Sequence, residues 1–230
     1  MSAILIGCAH GTRDTDGQDT VRRLIAEVRA ALPEREVREA YVDVHGPELG
    51  DVVEAVPEDT HGVSAVVVPL LLSGGYHVYH DIAKAVHGRV DIPAAPALGP
   101  DQRLIDIVLE RVDQARVPPT ATLILAPAGS SDPRSRADTE AAAEMLRARW
   151  GGPVRIGYAA GIEPTVKDAV AEARRFGEEG EVAIASFLLA PGVFQTRLTE
   201  SGADYVTAPL APHPKLVEIV LERFHDAQVG

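Results

Sequence analysis

Runs rich in Val, Ile and Leu recur along the chain at residues 3–7, 63–72, 122–126 and 182–189. Continuous apolar runs of this kind suit parallel strands covered on both faces. Between them the apolar positions change period. Val21, Leu24, Ile25, Val28 and Leu32 share one face of a helix predicted over residues 19–32, and Leu104, Ile105, Val108 and Leu109 share one over 102–112. Alternation of strand and helix predicts an α/β fold with a mainly parallel sheet.

The chain also repeats itself. Residues 4–14, Ile-Leu-Ile-Gly-Cys-Ala-His-Gly-Thr-Arg-Asp, align with residues 123–132, Leu-Ile-Leu-Ala-Pro-Ala-Gly-Ser-Ser-Asp, with a one-residue slip. Tyr41 followed by Pro47 matches Tyr158 followed by Pro164. Residues 66–75 match 183–192, and the stretch from Pro100 to Val112 matches that from Pro212 to Phe224. The matches keep their order, which is the signature of internal duplication. The boundary falls in the Pro-rich stretch 116–120. The expectation is two similar lobes, 1–117 and 118–230, each with a four-stranded parallel sheet flanked by helices, facing one another across a cleft.

Composition narrows the function. The 230 residues are 46% hydrophobic and 24% charged, enough for a sizeable core and too apolar for disorder. The longest apolar run, residues 65–72, is far short of the roughly 20 residues a bilayer helix needs, and no signal-peptide pattern opens the chain. The single Cys8 fits a reducing cytosol, so a cytoplasmic protein is expected. A net charge of −12 offers no footprint for nucleic acid or an anionic membrane. An anionic small molecule would need locally gathered basic groups and helix N-termini.

Candidate chemistry emerges where the two halves differ. After the first strand, His10-Gly-Thr-Arg-Asp14 stands where the second half has Ala128-Gly-Ser-Ser-Asp132. After the third, Gly75-Tyr-His77-Val stands where the second has Gly192-Val-Phe194-Gln. Both halves keep the loop glycines, and only the first keeps the histidines. Ligands of open parallel sheets bind beyond the carboxyl ends of the strands, so His10 and His77 are expected to project there, one lobe chemical and the other shaping or binding. Taken singly, a histidine after a strand is an ordinary loop residue; the paired replacement gives these two their weight. His80 reads as a helix-surface residue, His45 as able to reach the crevice, and His61, His87, His213 and His225 as surface or turn residues. Cys8 reads as a small buried residue. Asp14 and Asp16 are capping candidates, with Asp19 favoured as the cap of the first helix. Arg13 and Lys84 are scarce cations that can hold carboxylates. Dinucleotide, Walker-type, nucleophile-elbow and Cys-x-x-Cys signatures do not occur, and Ala9 stands where a histidine phosphatase needs an arginine.

His10-Gly-Thr-Arg-Asp14 resembles the His-Gly-Ser-Arg signature of the sirohydrochlorin chelatases, and residues 68–82, with Gly75, His77, Asp81 and Ile82, resemble their Gly-x-His-x-x-x-Asp-Ile segment. The resemblance spans the whole chain, because the long bacterial form of that family is a fused two-lobe repeat. It implies a class II chelatase fold and ATP-independent insertion of a divalent metal into sirohydrochlorin. It also implies His10 and His77 as catalytic residues and metal ligands. The family's usual Glu-Pro ahead of the second helix is not present as such; Asp43 and His45 lie near that place, before Pro47. A neutral imidazole can both bind Fe²⁺, Co²⁺ or Ni²⁺ and accept a pyrrolic proton, and two of them leave coordination positions open for transfer. Ser73, Gly74 and Gly75, with Arg13, Lys84, Ser130, Ser131 and Arg134, are the expected substrate-binding set, offsetting the repulsion between an acidic chain and a carboxylate-rich macrocycle. Expected partners are sirohydrochlorin and the metal, the latter as substrate with no permanently bound cofactor, and the fused lobes suggest a monomer. Without a cysteine cluster or His-rich tail, iron is favoured over cobalt. Two other readings stay open: a metal or tetrapyrrole carrier without turnover, and a generic two-lobe ligand-binding protein.

Overall fold

The computed structural model describes residues 3–58, 62–75, 77–175 and 180–229, with only the backbone described at 77–79; His61 and Tyr76 lie outside the described residues. The chain packs as two compact units. One comprises Met1–Leu98 with Ala211–Gly230, the other Gly99–Leu210.

The first unit is built on β1 (Ile4–Ala9), α1 (Thr15–Ala31), β2 (Val37–Tyr41), α2 (Leu49–Glu54) and β3 (Ala65–Pro69). A π-helical turn, His77–Ile82, and the short α3, Ala83–Ala85, follow. Its sheet is parallel in the order β2-β1-β3. Ile4, Ile6 and Cys8 of β1 pack with Leu49, Val52 and Val53 of α2 on one face. On the other face Gly7 meets Ile25 of α1. Every residue of β1 and β3 is buried, as a sheet covered on both sides requires.

The second unit repeats the plan with α4 (Gln102–Gln114), β4 (Thr122–Pro127), α5 (Pro133–Arg147), β5 (Val154–Ile156), α6 (Val166–Arg175), β6 (Val182–Phe187), α7 (Val193–Thr199) and β7 (Tyr205–Val206). Its parallel sheet runs β5-β4-β6-β7. The last helix, α8 (Pro214–Val229), belongs to the first unit.

Three expectations change. Four strands per half are found only in the second unit; among the described residues of the first, the fourth strand is reduced to a single parallel bridge between Val67 and Ala94. Pro93 and Pro96 flank that bridge, and a residue without an N–H cannot extend a ladder. The first helix starts at Thr15 rather than near residue 19, because Asp14, not Asp19, is the cap: its carboxylate accepts from the Gly17 N–H at 2.8 Å.

The third change concerns the division at 117/118, which separates the sequence repeats but not the packing. Each half sends its final helix to the other unit. α8 packs on α1 and β3, and α4 packs on α5 and β6. One arginine on each helix fastens the exchange. Arg223 donates to the carbonyls of Ala97 (3.2 Å) and Leu98 (3.3 Å), while Arg111 donates to those of Pro209 (3.0 Å) and Leu210 (3.1 Å).

Candidate functional site

The loop after β1 is shaped by a glycine. Gly11 has φ +99°, and the Asp43 carbonyl oxygen occupies the space a Cβ would need, so no other residue fits without displacing backbone. The β1 and β2 ends are zipped together by backbone bonds, Val42 N–H to Ala9 O (3.1 Å) and Asp43 N–H to His10 O (3.0 Å). Thr12 Oγ1 accepts from the Asp14 N–H (3.1 Å), and the Gln18 amide donates to Thr12 O (2.8 Å). His10 therefore follows β1 on a braced loop, half-buried, with Nδ1 out of reach of solvent. Arg13 of the same loop is exposed.

The second unit builds the same loop without the imidazole. Gly129, at φ +97°, packs against the Ala160 carbonyl. Ala160 N–H donates to Ala128 O (2.8 Å), and Ser130 Oγ accepts from Asp132 N–H (3.2 Å). Asp132 caps α5 and holds Arg134 in a two-pronged ion pair, Nη2–Oδ2 2.7 Å and Nε–Oδ1 3.0 Å. Much of the Arg134 charge expected for substrate is thus directed at its own cap; its guanidinium keeps the Asp132 carboxyl below the usual carboxylate range. Ser131 is exposed and Ser130 half-exposed.

At the β2 end the chain passes through Asp43, Val44 and His45. Val44 has φ +71°, rare for a β-branched residue, and its N–H donates to Asp43 Oδ1 (2.7 Å). The His45 ring lies against Tyr41, centroids 4.0 Å apart, with Nδ1 3.1 Å from Gly46 O. Sequence reading gave His45 little weight. The signal available was its alignment with Ile162, one more imidazole of the first half matched by an apolar residue in the second.

After β3 come Ser73, Gly74 and Gly75, of which Gly74 is buried, and then the π-helical turn. His77 opens that turn; its side chain lies outside the described residues. His80 and Lys84 are exposed, and Ile82 is fully buried in the core. A π-helical turn is rare and often accompanies function. The second unit has a regular α7 here, pinned by a partly buried chain: Ser186 Oγ donates to Gln195 Oε1 (2.8 Å), and Gln195 Nε2 donates to Thr207 O (2.9 Å). Among the described residues no three His, Cys, Asp or Glu side chains gather into a ready-made metal cage.

Cys8 is a core residue, as its strand position implies. Burial, helped by the Asp81 charge, pushes its thiol up to about 12. The fold thus favours the protonated thiol, a contribution complete below the ordinary value near 9 and lost as pH climbs toward 12. Since thiolate is the reactive form, a disulfide reagent at pH 8 is expected to leave the folded protein untouched and to label the single cysteine once guanidinium unfolds it. Rapid labelling of the folded protein would contradict the buried placement. Of the other described histidines, His87 and His225 are exposed, and His213 Nδ1 accepts from the Lys215 N–H (3.2 Å) at the start of α8.

Two parallel α/β units of repeated plan, one with histidine at its strand-end loops, have the architecture of the chelatase fold. The solved structures agree: SirB from Bacillus subtilis with Fe³⁺ superposes with a TM-score of 0.79 at 20% identity, covering 99% of this chain and 96% of that one. The CbiX described as the terminal enzyme for siroheme biosynthesis in denitrifying bacteria gives 0.69 at 18% identity, covering 97% and 99%. The chain belongs to the CbiX family, whose model matches residues 4–115 and again 122–227. Among curated proteins it is 27% identical to the sirohydrochlorin ferrochelatase of Priestia megaterium over 212 residues, 87% of this chain and 77% of that protein. It is also 27% identical to the sirohydrochlorin cobaltochelatase of Sulfolobus acidocaldarius over 109 residues, 46% of this chain and 86% of that protein. No helix among the described residues is long and apolar enough to cross a membrane.

Proposed function

We propose that this protein is a sirohydrochlorin chelatase that inserts Fe²⁺, or alternatively Co²⁺, into sirohydrochlorin without ATP. The observation that carries the reading is the family match over both halves combined with imidazoles at the strand ends of the first half alone. In the reaction the macrocycle gives up two pyrrolic protons and gains one divalent metal, so the site must release water from the metal and remove protons. His10 and His77 are assigned both tasks, each binding the metal through a neutral imidazole and accepting a proton when the metal moves on. Open coordination positions let the pyrrole nitrogens replace them. Iron, leading to sirohaem, is the preferred metal; cobalt would lead toward cobalamin.

Substrate carboxylates are assigned to Arg13 and Lys84, with Ser73, Gly74, Gly75, Ser130 and Ser131 offering hydroxyl and N–H donors. Arg134 contributes less, being paired with Asp132. The deciding experiment is anaerobic incubation of the protein with sirohydrochlorin and Fe²⁺, Co²⁺ or Ni²⁺, followed by absorbance. Insertion faster than the spontaneous rate supports the assignment. Binding of metal without acceleration would make the protein a carrier. Arg13→Ala and Lys84→Ala are expected to raise KM more than they lower kcat, and salt to weaken wild-type binding, because exposed charge contacts are screened. An unchanged KM in both variants would return these side chains to ordinary solvated charges.

A further inference from the structure

We propose that His45 is a third imidazole donor to the divalent metal in the first unit, alongside His10 on the neighbouring loop; the inference rests on the reading that this unit handles the metal. The His45 loop is fastened to the His10 loop by the Asp43 N–H to His10 O bond (3.0 Å) and by the close approach of the Asp43 carbonyl to Gly11. A donor on one loop is thus held in register with a donor on the other.

The ring itself is prepared for ligation. A carbonyl oxygen only accepts, so the contact from Nδ1 to Gly46 O (3.1 Å) places the hydrogen on Nδ1 and leaves the lone pair on Nε2. A second ring nitrogen anchored in this way is what orients metal-binding histidines generally. Nε2 is buried and finds no hydrogen-bond partner among the described residues, and the same is true of the hydroxyl of Tyr41, the residue on which the ring rests. Tyr41 is 1% exposed. Two adjacent buried polar groups left unpaired are unusual in a native interior and call for a ligand.

The second unit supplies the control. Its loop has the same bonds, Ala160 N–H to Ala128 O (2.8 Å) and Ile162 N–H to Ala160 O (3.0 Å) against His45 N–H to Asp43 O (2.9 Å), and the same left-handed residue, Gly161 at +80°. Ile162 occupies the position of His45, and Tyr158, the counterpart of Tyr41, lines a surface depression of about 450 Å³. The three imidazoles nearest the strand-end loops of the first half thus each have an apolar counterpart: His10 in Ala128, His45 in Ile162, His77 in Phe194. Imidazole suits the later divalent ions of the first row, and three such donors still leave positions open for pyrrole nitrogens.

The test uses Co²⁺ alone as the probe, titrated into the full chain without tetrapyrrole, with Kd from calorimetry and ligand number from the visible d–d bands. His45→Asn keeps a nitrogen that can donate to Gly46 O and removes Nε2. It should raise Kd at least about tenfold and weaken the bands while the circular dichroism stays unchanged. His45→Ile, the residue the second half carries there, should do the same and replaces the first variant if that one does not fold. Wild-type Kd and bands in both His45 variants, with binding lost in His10→Ala, would overturn this inference and leave the metal-handling reading standing. Unchanged binding in His10→Ala as well would overturn both.

Discussion

Replacing His10 with alanine is expected to lower metal insertion by about 10²–10⁴-fold, the range for removal of a positioned acid–base group, and His77→Ala is expected to fall in the same range. The loss should sit mainly in kcat for the tetrapyrrole, because neither imidazole is assigned to hold its carboxylates. Folding should survive the His10 change: backbone and side-chain braces of that loop run through the His10 carbonyl, Thr12, Asp14 and Gln18, and the second unit keeps the same loop with Ala128. Steady-state rates with Fe²⁺, Co²⁺ and Ni²⁺ check the result. Near-wild-type turnover of His10→Ala with all three metals would remove the first unit's claim to the chemistry.

The second large effect concerns stability. Phe224→Ala is expected to destabilise the first unit by about 3–5 kcal/mol, the usual loss for a buried phenylalanine. Phe224 is fully buried on α8, with the Arg35 guanidinium 6.0 Å from the ring centre. Trp150, the single tryptophan, anchors in the other unit by donating to Ala121 O (2.9 Å). Urea unfolding followed by circular dichroism should therefore show a lowered first transition, while Trp150 fluorescence shifts less. Equal shifts in both signals would mean that the two units unfold as one.

Much of the architecture was legible in the sequence because parallel strands announce themselves by continuous burial: β1, β3, β4 and β6 lie within or one or two residues beyond their apolar runs. What eluded it has physical reasons. The 3.6-residue period locates a helix by its apolar face, but the first turn of α1 is polar, so its start could be set only by the Asp14 carboxylate meeting Gly17 N–H. A repeat fixes the order of elements and not their partners, so the exchange of α4 and α8 was invisible until Arg111 and Arg223 were seen on carbonyls about a hundred positions away. His10 stood out beside its Gly-Thr-Arg loop. His45 did not, since only packing on Tyr41 and the Gly46 carbonyl sets its ring apart from that of a surface residue.

The exchanged helices also set a timetable. A chain leaves the ribosome N-terminus first, and domains fold as their residues become available. The unit Gly99–Leu210 has all its parts before synthesis ends, whereas the unit carrying His10, made first, waits for Ala211–Gly230. Its β1–β3 layer spends most of translation without α8, with the α1 and β3 surfaces that helix covers open to water or to a chaperone. The unit assigned the chemistry is begun before the other and completed after it, so a chain that stops before Ala211 holds every part of the second unit while the unit carrying His10 still lacks α8.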